Sequence, residues 1–145
     1  MENASKGVKP GRVTPAADSQ RIPAPLILCV DDAPGTLALQ ESLLEQAGYR
    51  VLAVTEAAEA LQLAHTGDVD LVITDHLLAN ATGTQLAAHI KAIKPSLPIL
   101  LLSGVAELPD DIRNCDSYMS KGDGPTALLV RIATLLERSS RAAQG

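Results

Sequence analysis

The chain is almost without aromatic rings. Its 145 residues include no Phe and no Trp, and Tyr49 and Tyr118 are its two tyrosines. Its core must therefore be packed from Leu, Ile, Val and Ala. It also has no basic excess. A net charge of -5 argues against a nucleic-acid surface, which needs a basic patch to meet phosphates. No apolar run approaches the roughly 20 residues of a membrane helix. Lys6, Lys9 and Arg12 have no apolar stretch behind them, so no secretory signal and no membrane contact are expected. Cysteine is scarce too: Cys29 and Cys115 are not motif-spaced, and Cys29 sits in an apolar run as a buried small residue. This usage fits a reducing, cytoplasmic setting.

What is present reads as one soluble globular domain, with 46% hydrophobic and 20% charged residues. Residues 1–24 are rich in Pro, Ala, Ser and Lys and show no helical or strand period; a disordered N-terminal tail is expected. From Pro25 short apolar runs begin. "PLILCV", "VLAV" (51–54), "LVIT" (71–74) and "ILLL" (99–102) read as strands buried on both faces, and "CDSYMS" (115–120) as a weaker fifth. Helical periods separate them. Leu37, Leu44 and Ala47 share one face with Leu43 beside them; Ala57, Leu61 and Ala64 form a second face. Leu86, Ile90 and Ile93 form a third, and Leu128, Ile132, Leu135 and Leu136 a fourth, opened by Pro125. Alternating strands and helices predict an α/β fold with a parallel sheet covered on both faces. The segment "GVAELPDDIRN" (104–114) is short for a helix plus two loops, so an abbreviated or irregular helix is expected there.

In such sheets ligands bind outside the carboxyl ends of the strands. The first strand ends in Asp31 and Asp32, the third in Asp75, the fourth in Ser103, and the fifth near Lys121. Neighbouring strands would bring all five to one rim. Two carboxylates about 4 Å apart repel by about 4 kcal/mol at an effective dielectric near 20. Either one takes a proton, or a cation sits among them. Oxygen ligands of this kind suit Mg²⁺, which prefers one or two carboxylates with water and a phosphate. Lys121 and Ser103 add a positive charge and a hydroxyl that a phosphoryl oxygen could meet. Each feature alone has a plainer meaning. "DD" after a strand is often a solvated turn, Asp75 a cap, Ser103 before Gly104 turn chemistry, and Lys121 a surface lysine. Their order along four strand ends is the specific signal.

These residues resemble the receiver domain of two-component response regulators, of the stand-alone single-domain type. The resemblance rests on "LCVDDAP", "LVITD", Gly83, "ILLLSG" and "YMSK", and spans residues 25 to about 138. It implies a flavodoxin-like (βα)5 three-layer sandwich with five parallel strands in order 2-1-3-4-5. The receiver would occupy residues 25–141, with 142–145 as a C-terminal tail. It further implies that Asp75 accepts a phosphoryl group from a histidine kinase or histidine phosphotransfer protein. Asp32 and Asp75 would bind Mg²⁺ directly with the backbone carbonyl of Leu77, and Asp31 through water. Lys121 would pair with the phosphoryl group, Ser103 would hydrogen-bond it, and Tyr118 would turn inward behind Ser103. The protein would be a phosphoacceptor rather than an enzyme on a separate substrate, and its output a contact with a downstream protein.

Three departures from the family pattern stand out. The phosphoacceptor loop reads "DHLLAN", with Leu78 and Ala79 where Met-Pro is usual. Gly122 follows Lys121 where proline is usual, and the 104–114 region is short. His76 is expected to be exposed near the partner surface; His65 and His89 receive no role, and Tyr49 is expected to pack. Leu77 and Val105 are apolar where family members carry water-holding polar groups, which predicts a long-lived phosphorylated form. Nothing before the first strand or in "SSRAAQG" fits an output module, so signalling through protein contact or by passing the phosphoryl group onward is expected. Two other classes compete: a receiver-like binding module that is never phosphorylated, and a small Mg²⁺-dependent phosphatase.

Overall fold

The computed structural model describes residues 23–104 and 112–144. The expected N-terminal tail up to residue 22, Val105, and most of the 104–114 segment lie outside the described residues. Five strands are present: β1 (Leu26–Val30), β2 (Arg50–Val54), β3 (Leu71–Asp75), β4 (Ile99–Ser103) and β5 (Ser117–Ser120). The helices among the described residues are α1 (Pro34–Gln46), α2 (Ala57–Thr66), α3 (Gly83–Ile93) and α4 (Pro125–Gln144), with a 3-10 turn at Lys121–Asp123. All strand pairs are parallel, in the order β2-β1-β3-β4-β5, as the resemblance implied.

Strand alternation divides the core into two layers. Ile27, Cys29, Leu71, Ile73, Leu100 and Leu102 pack under α1 and α4 against Leu37, Leu44, Leu128, Ile132 and Leu135. Leu28, Val30, Val72 and Ile99 pack on the other face against Ala60, Ala64, Leu86, Ala87 and Ile90 of α2 and α3. Burying each such Leu or Ile contributes about 1.5–3 kcal/mol, which is how a core with so few rings holds together.

Local chemistry sets the element ends. α1 starts on Pro34, whose missing N–H costs nothing at that position. It ends in a Schellman motif. Gly48, at φ +100, donates its N–H to Glu45 O, and the N–H of Tyr49 reaches Leu44 O at 3.1 Å. Tyr49 then packs half-buried against the core, as expected. α3 opens with a capping box: Thr82 accepts from the Gln85 N–H, and the Gln85 side chain accepts from the Thr82 N–H.

The structure corrects several expectations. Ala47 and Ile93 are exposed, because Ala47 lies just past the last turn of α1 and Ile93 ends α3. In α2 the fully buried positions are Ala60 and Ala64, while Ala57 and Leu61 are only partly covered. "VLAV" is not buried on both faces; as β2 it is an edge strand, half-covered over most of its length. α4 runs to Gln144, so residues 142–144, expected as tail, continue the helix.

Candidate functional site

The site is built at the carboxyl edge of the three middle strands and β5. β1 delivers Asp31 and Asp32, β3 ends on Asp75, β4 ends on Ser103, and Lys121 follows β5 directly. Asp31, Asp32 and Asp75 each offer a carboxylate oxygen, all within 4.8 Å of one another. The Lys121 amine lies 2.9 Å from Asp31 Oδ2 and 3.3 Å from Asp75 Oδ2. The structure brings these four residues together at one rim. Ser103 stands one step past Leu102, which is the register partner of Asp75.

Backbone groups hold the carboxylates in place. Ala33 donates its N–H to Asp31 Oδ1 at 2.9 Å, and His76 donates its N–H to Asp75 Oδ1 at 3.0 Å. Asp31 is only 3% exposed and Ser103 2%, whereas Asp32 opens to solvent. The loop after Asp75 is folded back tightly. Gly83 donates to the His76 carbonyl at 2.6 Å, and Leu77 bridges Thr82. A Cβ on Gly83 would lie 2.5 Å from the Asp75 carbonyl oxygen and 2.6 Å from Leu101 Cδ1, so only glycine fits this turn.

The electrostatics follow from this crowding. Burial, with added repulsion from Asp31, raises the Asp75 carboxyl above its ordinary value, although Lys121 pulls it down. Burial works against the Lys121 charge, but its hydrogen bond to Asp31 and the attraction of Asp75 outweigh that and raise its pKa. Among the described residues one lysine faces three carboxylates, which leaves the cup with a net negative charge. Its donors are all oxygen, which fits a hard divalent cation and not a soft one.

Leu77, two residues past Asp75, is 62% exposed. Tyr118 is half-buried on β5. Cys29 is fully buried, and burial pushes its thiol up to about 12, as befits an inert core residue. His76 departs from its expected exposed position: it is half-buried, with Nδ1 out of reach of solvent and without a hydrogen-bond partner. No sequence signal announced this, since the position follows the last strand residue.

The family model of the response regulator receiver domain matches residues 27–132. The chain belongs to this family. The receiver is 35% identical over 124 residues to the transcriptional regulatory protein GlrR of Escherichia coli, covering 83% of this chain and 28% of that protein. It is 32% identical over 121 residues to the alkaline phosphatase synthesis transcriptional regulatory protein PhoP of Bacillus subtilis, covering 81% of this chain and 50% of that one. The receiver thus spans half or less of these two relatives. Among solved structures, a CheY-like receiver domain protein from Methanospirillum hungatei matches with a TM-score of 0.77 at 26% identity, covering 82% of this chain and 98% of that one. Response regulator TrrA from Thermotoga maritima, in complex with Mg²⁺ and BeF, matches with a TM-score of 0.73 at 27% identity, covering 77% and 98%. The expectation of no nucleic-acid partner finds no support in the curated relatives, whose names make them transcriptional regulators. No helix among the described residues is long and apolar enough to cross a membrane.

Proposed function

We propose that this receiver, spanning residues 25–141, takes a phosphoryl group onto Asp75 from a phosphohistidine of a sensor kinase or phosphotransfer protein in the cytoplasm. The observation that carries the proposal is the convergence of Asp31, Asp32 and Asp75 around the single amine of Lys121. An Asp75 carboxylate oxygen attacks phosphorus and the P–N bond breaks, its electron pair going to the ring nitrogen; the donor imidazole, carrying a proton on its other nitrogen, leaves neutral, giving an acyl phosphate. Asp75 presents its carboxylate beside the Lys121 amine, at 3.3 Å. Its contact with the His76 N–H holds Oδ1, which fixes the direction of attack.

Asp31, Asp32 and Asp75, with the Leu77 carbonyl, would hold Mg²⁺, which supplies charge neutralisation for the incoming phosphoryl group. The likeness to TrrA, solved with Mg²⁺ and BeF, supports a Mg²⁺ site in this fold. Lys121 then pairs with a phosphoryl oxygen, and the Ser103 hydroxyl approaches from β4. Tyr118 turns inward behind it, and the altered surface recruits a downstream protein. Exposed, apolar Leu77, two residues past Asp75, offers no hydrogen bond to an attacking water, so the phosphorylated form persists.

The test is to incubate the protein with Mg²⁺ and acetyl phosphate, weigh it intact, and map the label by peptide analysis. One phosphoryl group on Asp75, lost in Asp75→Asn and decaying over many minutes, is expected. No label from this donor or from any histidine kinase would leave the unphosphorylated binding module as the reading. Label on another residue would overturn the assignment.

A further inference from the structure

Among the described residues, the buried side-chain polar atom without a hydrogen-bond partner is Nδ1 of His76. Leaving a buried polar atom unpaired costs free energy, so such an atom in a folded chain calls for a reason. Its position in the sheet offers one. Asp75 on β3 stands opposite Leu102 on β4, and the His76 N–H extends the ladder by donating to the Leu102 carbonyl at 2.9 Å. One further step along each strand sets His76 beside Ser103. Alternation sends both side chains to the same face. His76 is four positions after Val72 and Ser103 four after Ile99, and both of those line the core under α2 and α3. Adjacent strands lie about 4.8 Å apart, so a ring and a hydroxyl at one register level are within a rotamer change of a hydrogen bond. Ser103 is 2% exposed, so bulk water competes little for its hydroxyl.

We propose that His76 is a positioning residue for Ser103: in the phosphorylated state its Nδ1–H donates to Ser103 Oγ and so aims the hydroxyl at the phosphoryl oxygen. This rests on the reading of Ser103 as the hydroxyl that meets the phosphoryl group. A ring with its hydrogen on Nδ1 makes Oγ an acceptor, which leaves the hydroxyl hydrogen to be donated outward. No proton is transferred. A hydrogen bond present in only one of two states biases the equilibrium toward that state. The backbone of His76 ties the ring to the same event. Its N–H holds Asp75 Oδ1, and its carbonyl accepts from Gly83.

The test uses beryllofluoride with Mg²⁺ as the phosphoryl stand-in. Its affinity is measured in the wild type, His76→Phe, His76→Asn, Ser103→Ala and the His76→Phe/Ser103→Ala double variant. The melting temperature of each without ligand is measured alongside. His76→Phe should weaken binding by roughly tenfold, the worth of one hydrogen bond, while raising unliganded stability because an unpaired nitrogen is gone. His76→Asn, whose amide can donate from near the place of Nδ1, should recover most of the affinity. In the Ser103→Ala background, His76→Phe should change nothing further. Equal weakening with and without Ser103, failure of Asn to rescue, or a loss of unliganded stability in His76→Phe would each overturn the proposal. Ser103→Ala binding as tightly as wild type would instead remove the reading of Ser103 beneath it.

Discussion

The two edges of the sheet use aspartate in opposite ways. At the amino edge, Asp70 Oδ2 accepts the Leu26 N–H at 2.8 Å where β1 begins. Asp116 Oδ2 accepts the Ile99 N–H at 2.7 Å where β4 begins, and it pairs with Lys91 at 2.7 Å. Lys91 also donates to the Pro95 and Leu97 carbonyls, closing the loop between α3 and β4. Each of these carboxylates meets an orphan backbone donor, which is a structural use. At the carboxyl edge, three carboxylates face one lysine. Repulsion and burial there raise the Asp75 pKa. Satisfied charge stabilises the fold; charge left uncompensated is stored for a ligand.

The strongest way to break the carboxyl edge is through its backbone. Gly83→Ala would push a methyl group into the Asp75 carbonyl and Leu101. It should lower stability by about 3 kcal/mol in urea denaturation, because the obstacle is largely backbone and cannot rotate away. A loss below 1 kcal/mol would mean the loop adapts.

A pair of identical substitutions sharpens the comparison. Asp116→Asn should destabilise by about 2 kcal/mol, as charge-assisted bonds to Ile99 and Lys91 weaken. Asp75→Asn, without divalent ions at neutral pH, should stabilise by about 1 kcal/mol, since it removes a crowded, partly desolvated charge. Chemical denaturation of both variants reads the sign directly. Equal signs would erase the distinction between the edges.

A smaller effect lies in pH. The folded-state pKa of Asp75 is raised, so the native state holds this proton more tightly than the unfolded chain does. Its stabilising contribution is complete below the unfolded value of about 3.9 and is lost as pH rises through the raised native value. The melting temperature of Asp75→Asn minus that of wild type should therefore grow from about pH 4 upward. A difference that shrinks over this range would contradict the assignment.

Much of this was readable in the sequence, for identifiable reasons. The β1, β3 and β4 runs announce burial on both faces because they lack alternation, and acidic residues or a serine at their ends mark the rim. β2 reads as doubly buried in the sequence but is an edge strand, because an apolar run does not say whether a strand is central or at an edge. The pairing of Lys121 with both Asp31 and Asp75 joins residues distant in the chain, and only the sheet order makes it visible. The roles of Asp70 and Asp116 at the opposite edge depend on register, which hydrophobic pattern alone does not reveal. The burial of His76 Nδ1 is a matter of tertiary packing, which no local pattern in the sequence encodes.

The most direct measurement is calorimetric titration of Mg²⁺ into the wild type, Asp31→Asn, Asp75→Asn and Asp116→Asn. A cation site at the carboxyl edge predicts one saturable binding event in wild type and in Asp116→Asn, and strong weakening in the two carboxyl-edge variants. Absence of binding in wild type, or binding unchanged by loss of Asp31 and Asp75, would contradict it.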